Sequence, residues 1–183
     1  GDQARRLLDR IPEARWVKVG SILFSREGPG FVRELTARGL RVFLDLKWHD
    51  IPNTVAGAVA AAGELGVAMA SVHTLGGAGM MEAAARAARA AGDGVGLVGV
   101  TVLTSHSAES YSQAVGRAGV AVLDEVSRLA AEAMRAGLRG VVCSPLEVAT
   151  VRRQLGSGGW IVVPGIRRGL DQAGDQLRTA TPK

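Results

Sequence analysis

Two textures alternate along the chain. Apolar, β-branched runs of strand length fall at 16–20 (WVKVG), 42–47 (VFLDLK), 67–73 (VAMASVH), 95–103 (VGLVGVTVL), 138–144 (LRGVVCS) and 160–166 (WIVVPGI). Between them lie Ala-, Leu-, Glu- and Arg-rich stretches that predict helices near 29–38, 54–65, 78–91, 121–136 and 145–155. The strand runs are nearly continuously apolar, the pattern of strands covered by crossover helices on both faces. Punctuation agrees with this reading. Ser144-Pro145-Leu146-Glu147 sets a cap, a first-turn proline and a capping-box glutamate in order. Gly39, Gly66, Gly92 and Gly137 fall where helices end and a left-handed residue is usual. Asn53 or Asp50 is placed to cap the helix after the second strand.

Strands alternating with helices, without antiparallel turn signals, leave a doubly wound open sheet or a (β/α) barrel. Asp45 and Lys47 decide between them. They stand two apart at the C-terminal end of one strand, so their side chains share a face. Charges there are expected at the rim of a barrel, where βα loops build active sites. No glycine-rich dinucleotide fingerprint follows the first strand, since Gly28-Pro29-Gly30 comes after a polar connector. The expectation is a TIM barrel occupying residues 1–183 as a single domain.

Composition narrows the function. With 47% hydrophobic residues the chain is globular rather than disordered, and no apolar run reaches the ~20 residues of a membrane helix. The single cysteine, Cys143, reads as a small buried hydrophobe and suits a cytoplasmic setting. The net charge of +5 comes from dispersed basic residues with few aromatics, which suits small phosphorylated anions better than nucleic acid. His49, His73 and His106 lack metal-ligand spacing. His73 reads as a structural histidine at least as readily as a site residue. Trp16, Trp48, Trp160, Met80 and Met81 read as packing.

The densest chemistry lies in Asp45-Leu46-Lys47-Trp48-His49-Asp50-Ile51-Pro52-Asn53-Thr54. Lys18, mid-strand in the preceding unit, would be costly to bury unpaired, and adjacent strands could bring it beside Asp45. The bland alternative is an ion-pair network that only ties strand ends together.

The run DLKWHDIPNT resembles the signature D-x-K-x-x-D-I-P-N-T of the orotidine 5′-phosphate decarboxylase family. Further matches follow in order: Val17-Lys18-Val19-Gly20, Val72-His73 with Gly76-Gly77, Thr101 to Ser105, Val142-Cys143-Ser144, Pro164-Gly165-Ile166-Arg167, and Gly174-Asp175-Gln176 before Thr181-Pro182. The resemblance implies decarboxylation of orotidine 5′-phosphate to uridine 5′-phosphate, without metal or cofactor. It implies that Lys47 protonates C6 as the carboxylate leaves, and that Asp45 lies against that carboxylate while orienting Lys47. By the same resemblance Lys18 binds the ribose and holds Asp45. Asp50, Ile51 and Thr54 belong to the substrate site, with Asp50 and Thr54 crossing a homodimer interface to the neighbouring one. Thr104 stands beside the pyrimidine amide edge, and Arg167 and Gln176 grip the phosphate. The polar loop from Ser105 to about Gly119 reads as a mobile lid.

The family's first strand carries A-L-D, with a ribose-binding aspartate, and its eighth ends in G-R-P. Neither segment is in this sequence. Six strands are visible where a closed barrel needs eight, and 183 residues fall below the ~200 lower end for the fold. The expectation is therefore that these residues belong to a longer enzyme, incomplete here at both ends. The alternatives are a metal-dependent sugar-phosphate decarboxylase or aldolase sharing D-x-K-x-x-D, and a nucleotide-binding barrel without turnover.

Overall fold

The computed structural model describes residues 1–92, 94–167 and 176–182. Its centre is a six-stranded, wholly parallel sheet whose spatial order is the sequence order. The strands are β1 (Trp16–Gly20), β2 (Arg41–Trp48), β3 (Met69–His73), β4 (Gly96–Val100), β5 (Gly140–Val142) and β6 (Trp160–Val162). Every connection enters the neighbouring strand, so the sheet winds in one direction and curls as part of a barrel wall. All six apolar runs thus became strands, each in the place its pattern predicts.

Seven helices accompany the sheet among the described residues: α1 (Asp2–Asp9), α2 (Ser21–Ala37), α3 (Pro52–Glu64), α4 (Gly77–Ala90), α5 (Ala108–Ala114), α6 (Val122–Arg135) and α7 (Val148–Leu155). The core lies between sheet and helices. Val19, Leu44, Ala70, Val72 and Leu97 from the strands meet Val32, Leu35, Val55, Val59, Met80, Met81 and Leu129 from the helices. Gly39, Gly66, Gly92 and Gly137 all adopt positive φ after helix ends, as expected. Ser144 and Glu147 form the predicted capping box, but it opens a short 3-10 turn (Pro145–Glu147) ahead of α7.

Four details depart from the sequence reading. Helix α1 was not expected, because it is short and strongly charged; Arg5 ties it to Glu34 at 2.7 Å and lies over the Phe31 ring. Helix α2 begins directly after β1 and includes Gly28-Pro29, where Gly28 (φ 67°) breaks the helical geometry ahead of the proline. Neither Asn53 nor Asp50 caps α3: Ile51 holds the cap position and Pro52 starts the helix. The segment expected as an open loop at 105–119 contains α5, opened by a Ser107/Ser110 capping box.

Candidate active site

Residues from β1, β2 and β3 converge where these strands end. Gly20 lies opposite Asp45, and Lys18 opposite Phe43. From there Lys18 reaches along the strand, and its Nζ stands 3.5 Å from Asp45 Oδ2. Lys47 Nζ donates to the same oxygen at 3.0 Å. One carboxylate oxygen therefore carries two ammonium groups. The Asp45 side chain is 13% exposed, whereas Lys18 is 57% and Lys47 40% exposed. Lys18 is thus not the buried lysine that its apolar flanks imply; its long stem carries the charge out of the strand.

Burial raises the Asp45 pKa, but the Lys47 hydrogen bond and charge, the Ser71 hydrogen bond and Lys18 outweigh it. The carboxyl is held below the usual aspartate range. It is an anion at neutral pH. His73, one strand over, is pushed down to about 4 by burial, with His49 and Lys47 adding to the effect. It is neutral near pH 7, stacks on His49 at 5.4 Å, and its Nδ1 accepts from the Leu75 amide.

The local backbone explains how two charges fit at the end of an apolar strand. Leu44 pairs with Ala70, and the next register pair is Trp48 with Val72. Three residues of β2 thus oppose one of β3, which makes a bulge. Lys47 lies in it with φ 53°, a positive value found at no other non-glycine residue described. Ser71, the residue facing the bulge, is fully buried. Its Oγ donates to Asp45 Oδ1 at 2.8 Å and accepts from the Lys47 amide at 2.9 Å. Sequence reasoning passed over Ser71. The available signal was a hydroxyl inside an apolar strand.

A cavity of about 420 Å³ is lined by Lys18, Asp45, Lys47, Thr104 and Gln176 together with apolar residues including Phe43, Val100 and Pro164. A wider groove of about 1050 Å³ also borders Lys18, Asp45 and Lys47, along α1 and the start of α2. Arg167 Nη2 donates to Gln176 Oε1 at 2.9 Å, so the two residues expected to share one ligand group are neighbours. Gly174 and Asp175 of the same motif lie outside the described residues.

The strand-exit wall behind Thr104 is built by Arg178, a second residue that sequence reasoning missed. The Thr104 carbonyl accepts from the Leu177 and Arg178 amides at 3.0 and 3.3 Å. The Arg178 guanidinium, itself buried, donates to Glu147 at 2.6 Å and to the Val102 and Leu103 carbonyls. This fixes the segment carrying Gln176 against the end of β4.

Asp50 and Thr54 do not join this constellation. Asp50, Ile51 and Thr54 are exposed, and the Asp50 carboxylate accepts from the Ile51 amide at 2.6 Å. Among the described residues, no ion pair links Asp50 to Lys18 or Lys47. Cys143 is buried and its thiol is pushed up to about 12, first by burial and then by Glu147. It is no nucleophile at neutral pH. Among the described residues, no group of three or more His, Cys, Asp or Glu side chains is arranged to hold a metal ion. Among them, too, no helix is long and apolar enough to cross a membrane.

A sequence model of the orotidine 5′-phosphate decarboxylase / HUMPS family matches residues 1–183. The orotidine 5′-phosphate decarboxylase of Halorhodospira halophila is 52% identical over 166 residues, covering 91% of this chain and 70% of that protein. That of Coxiella burnetii is 45% identical over 185 residues, covering 100% of this chain and 78% of that protein. The crystal structure of orotidine 5′-phosphate decarboxylase from Lactobacillus acidophilus matches with a TM-score of 0.78 at 35% identity, covering 88% of this chain and 76% of that one.

Proposed function

The chain belongs to the orotidine 5′-phosphate decarboxylase / HUMPS family, and from that premise we propose that it is a carboxy-lyase converting orotidine 5′-phosphate to uridine 5′-phosphate in pyrimidine biosynthesis. The observation that carries this reading is the shared Asp45 oxygen, with Lys47 Nζ at 3.0 Å and Lys18 Nζ at 3.5 Å beside one cavity. Loss of carbon dioxide breaks the bond to C6 and leaves its electron pair on that carbon. An ammonium beside it stabilises the developing charge and then delivers a proton to C6. Lys47 is assigned that role, and it takes its proton back from solvent after product leaves.

Asp45 aims Lys47 through the 3.0 Å bond it accepts from the ammonium. Placed beside a substrate carboxylate at ~4 Å it would also repel it by roughly 4 kcal/mol at an effective dielectric near 20. Lys18 holds the same Asp45 oxygen at 3.5 Å and serves the ribose hydroxyls. Thr104 meets the amide edge of the pyrimidine. Arg167 supplies a guanidinium fork and Gln176 an amide for the phosphate, and their 2.9 Å contact keeps them in one place for it. Asp50 and Thr54 serve the site of a second copy in a homodimer, with Ile51 between them as a further substrate contact. Their exposure supports this, Ile51 being an apolar side chain 67% open to solvent. The enzyme works in the cytoplasm.

The test is a Lys47→Ala variant of the full-length protein assayed on orotidine 5′-phosphate. Turnover should fall by about 10⁴-fold, as loss of a positioned general acid predicts. A folded variant that keeps wild-type turnover refutes the assignment. Running the wild type with a chelator adds a second arm: activity should persist. Loss of activity there, with metal-dependent turnover of a ketose phosphate, would point to the sugar-phosphate branch instead.

A further inference from the structure

We propose that Ser71 is a positioning residue of the active site, whose hydroxyl sets both the carboxylate plane of Asp45 and the backbone of Lys47. The inference rests on the decarboxylase reading and adds to it a residue outside the charged motif.

The geometry is specific. Between the pairs Leu44/Ala70 and Trp48/Val72, Ser71 alone faces Asp45, Leu46 and Lys47. A regular ladder would give the Lys47 amide a backbone carbonyl on β3. Here the amide donates to Ser71 Oγ at 2.9 Å. The hydroxyl proton is then committed to Asp45 Oδ1 at 2.8 Å. One side chain closes both sides of the bulge.

Each bond has a consequence for chemistry. Asp45 Oδ2 is occupied by the two lysines, so Oδ1 is the handle by which the carboxylate plane is fixed. Without it the carboxylate rotates about its own bond, and the Lys47 ammonium follows. The left-handed backbone at Lys47 is unfavourable for a residue with a Cβ and persists only when its surroundings hold it. The hydrogen bond that the Lys47 amide donates to Ser71 Oγ is one such hold. Ser71 is small enough to sit fully buried beneath the bulge and polar enough to serve both groups. Among the common small residues, alanine and glycine meet only the first requirement.

The experiment compares wild type, Ser71→Ala and Ser71→Thr of the full-length protein. Readouts are kcat and KM for orotidine 5′-phosphate, the acid limb of the kcat profile, and thermal stability. Misaiming a catalytic group costs up to about 10²-fold, so Ser71→Ala should lower kcat by about 10- to 100-fold with KM changed less than about threefold. Asp45 loses a donor to its charged form, so the acid limb should move up by about half to one pH unit. Ser71→Thr keeps the hydroxyl and should return the limb to its wild-type position.

A folded Ser71→Ala enzyme with wild-type kcat and limb overturns the proposal. So does a lowered kcat with an unmoved limb and a lower melting temperature, which would make Ser71 only a stability residue. Absence of turnover by the wild type would refute the decarboxylase reading, and this proposal with it.

Discussion

Lys47 combines two demands that conflict. Its ammonium must stand 3.0 Å from Asp45, while its backbone takes φ 53°, a region that costs an L-residue roughly 1–2 kcal/mol. The expected consequence reverses the usual ranking of small residues. Replacing Lys47 by glycine should give a more stable protein than replacing it by alanine, by about 1 kcal/mol, because only glycine takes positive φ freely. Chemical denaturation of the two variants measures this, and equal or inverted stabilities would show that the backbone there carries no strain. The charged residues of this site were legible in the sequence, since Lys18, Asp45 and Lys47 interrupt apolar strands. Ser71 was not. A serine in a buried strand is common, and its meaning depends on a bulge in the neighbouring strand that no local pattern encodes.

At the level of elements, legibility followed length and two-sided burial. Strands sandwiched between helices and barrel interior must be apolar throughout, so all six stood out. The helices α1 and α5 are eight and seven residues long and draw their stability from contacts distant in sequence. Helix α5 is fastened by Tyr111, whose hydroxyl donates to Glu125 at 3.1 Å; Arg117 and Arg128 meet the same carboxylate at 2.6 and 2.9 Å. The Arg128 hydrogen bond, opposed by burial and reinforced by Arg117 and Tyr111, lowers the Glu125 pKa to about 2. Its folded value lies below the unfolded one, so its contribution is full above the unfolded pKa of about 4.5 and fades as the pH falls toward about 2. Both arginines are near half exposed, which puts the cluster at the low end of the buried scale. Glu125→Gln should therefore cost about 2 kcal/mol at neutral pH. That difference from wild type should shrink steadily below pH 4.5. Urea titrations of both proteins across this range decide it; a gap independent of pH would mean the carboxylate charge is not what holds α5.

On the scale of the whole molecule, the parallel winding puts every strand's C-terminal end on one side, so residues from β1, β2, β3 and the segments after β4 and β6 meet there. Asp50 stands outside this meeting although it lies only three residues beyond Lys47. Helix α3 turns Val55, Val59 and Ala62 into its own core and leaves Thr54, Gly57 and Ala61 exposed on another face. Small residues there permit close approach of a second subunit. A two-fold dimer is the commonest closed assembly, and it would carry Asp50 of each copy toward the Lys18, Asp45 and Lys47 group of the other. Complementation tests this directly. Lys47→Ala and Asp50→Ala homodimers should each be nearly inactive, because every site lacks one residue. After random exchange of equal amounts, half the dimers are mixed, and each mixed dimer holds one site with both native residues and one lacking both. Activity should recover to about a quarter of the wild-type value. Native mass spectrometry verifies the exchange, and mixed dimers without recovered turnover would place Asp50 in the site of its own chain.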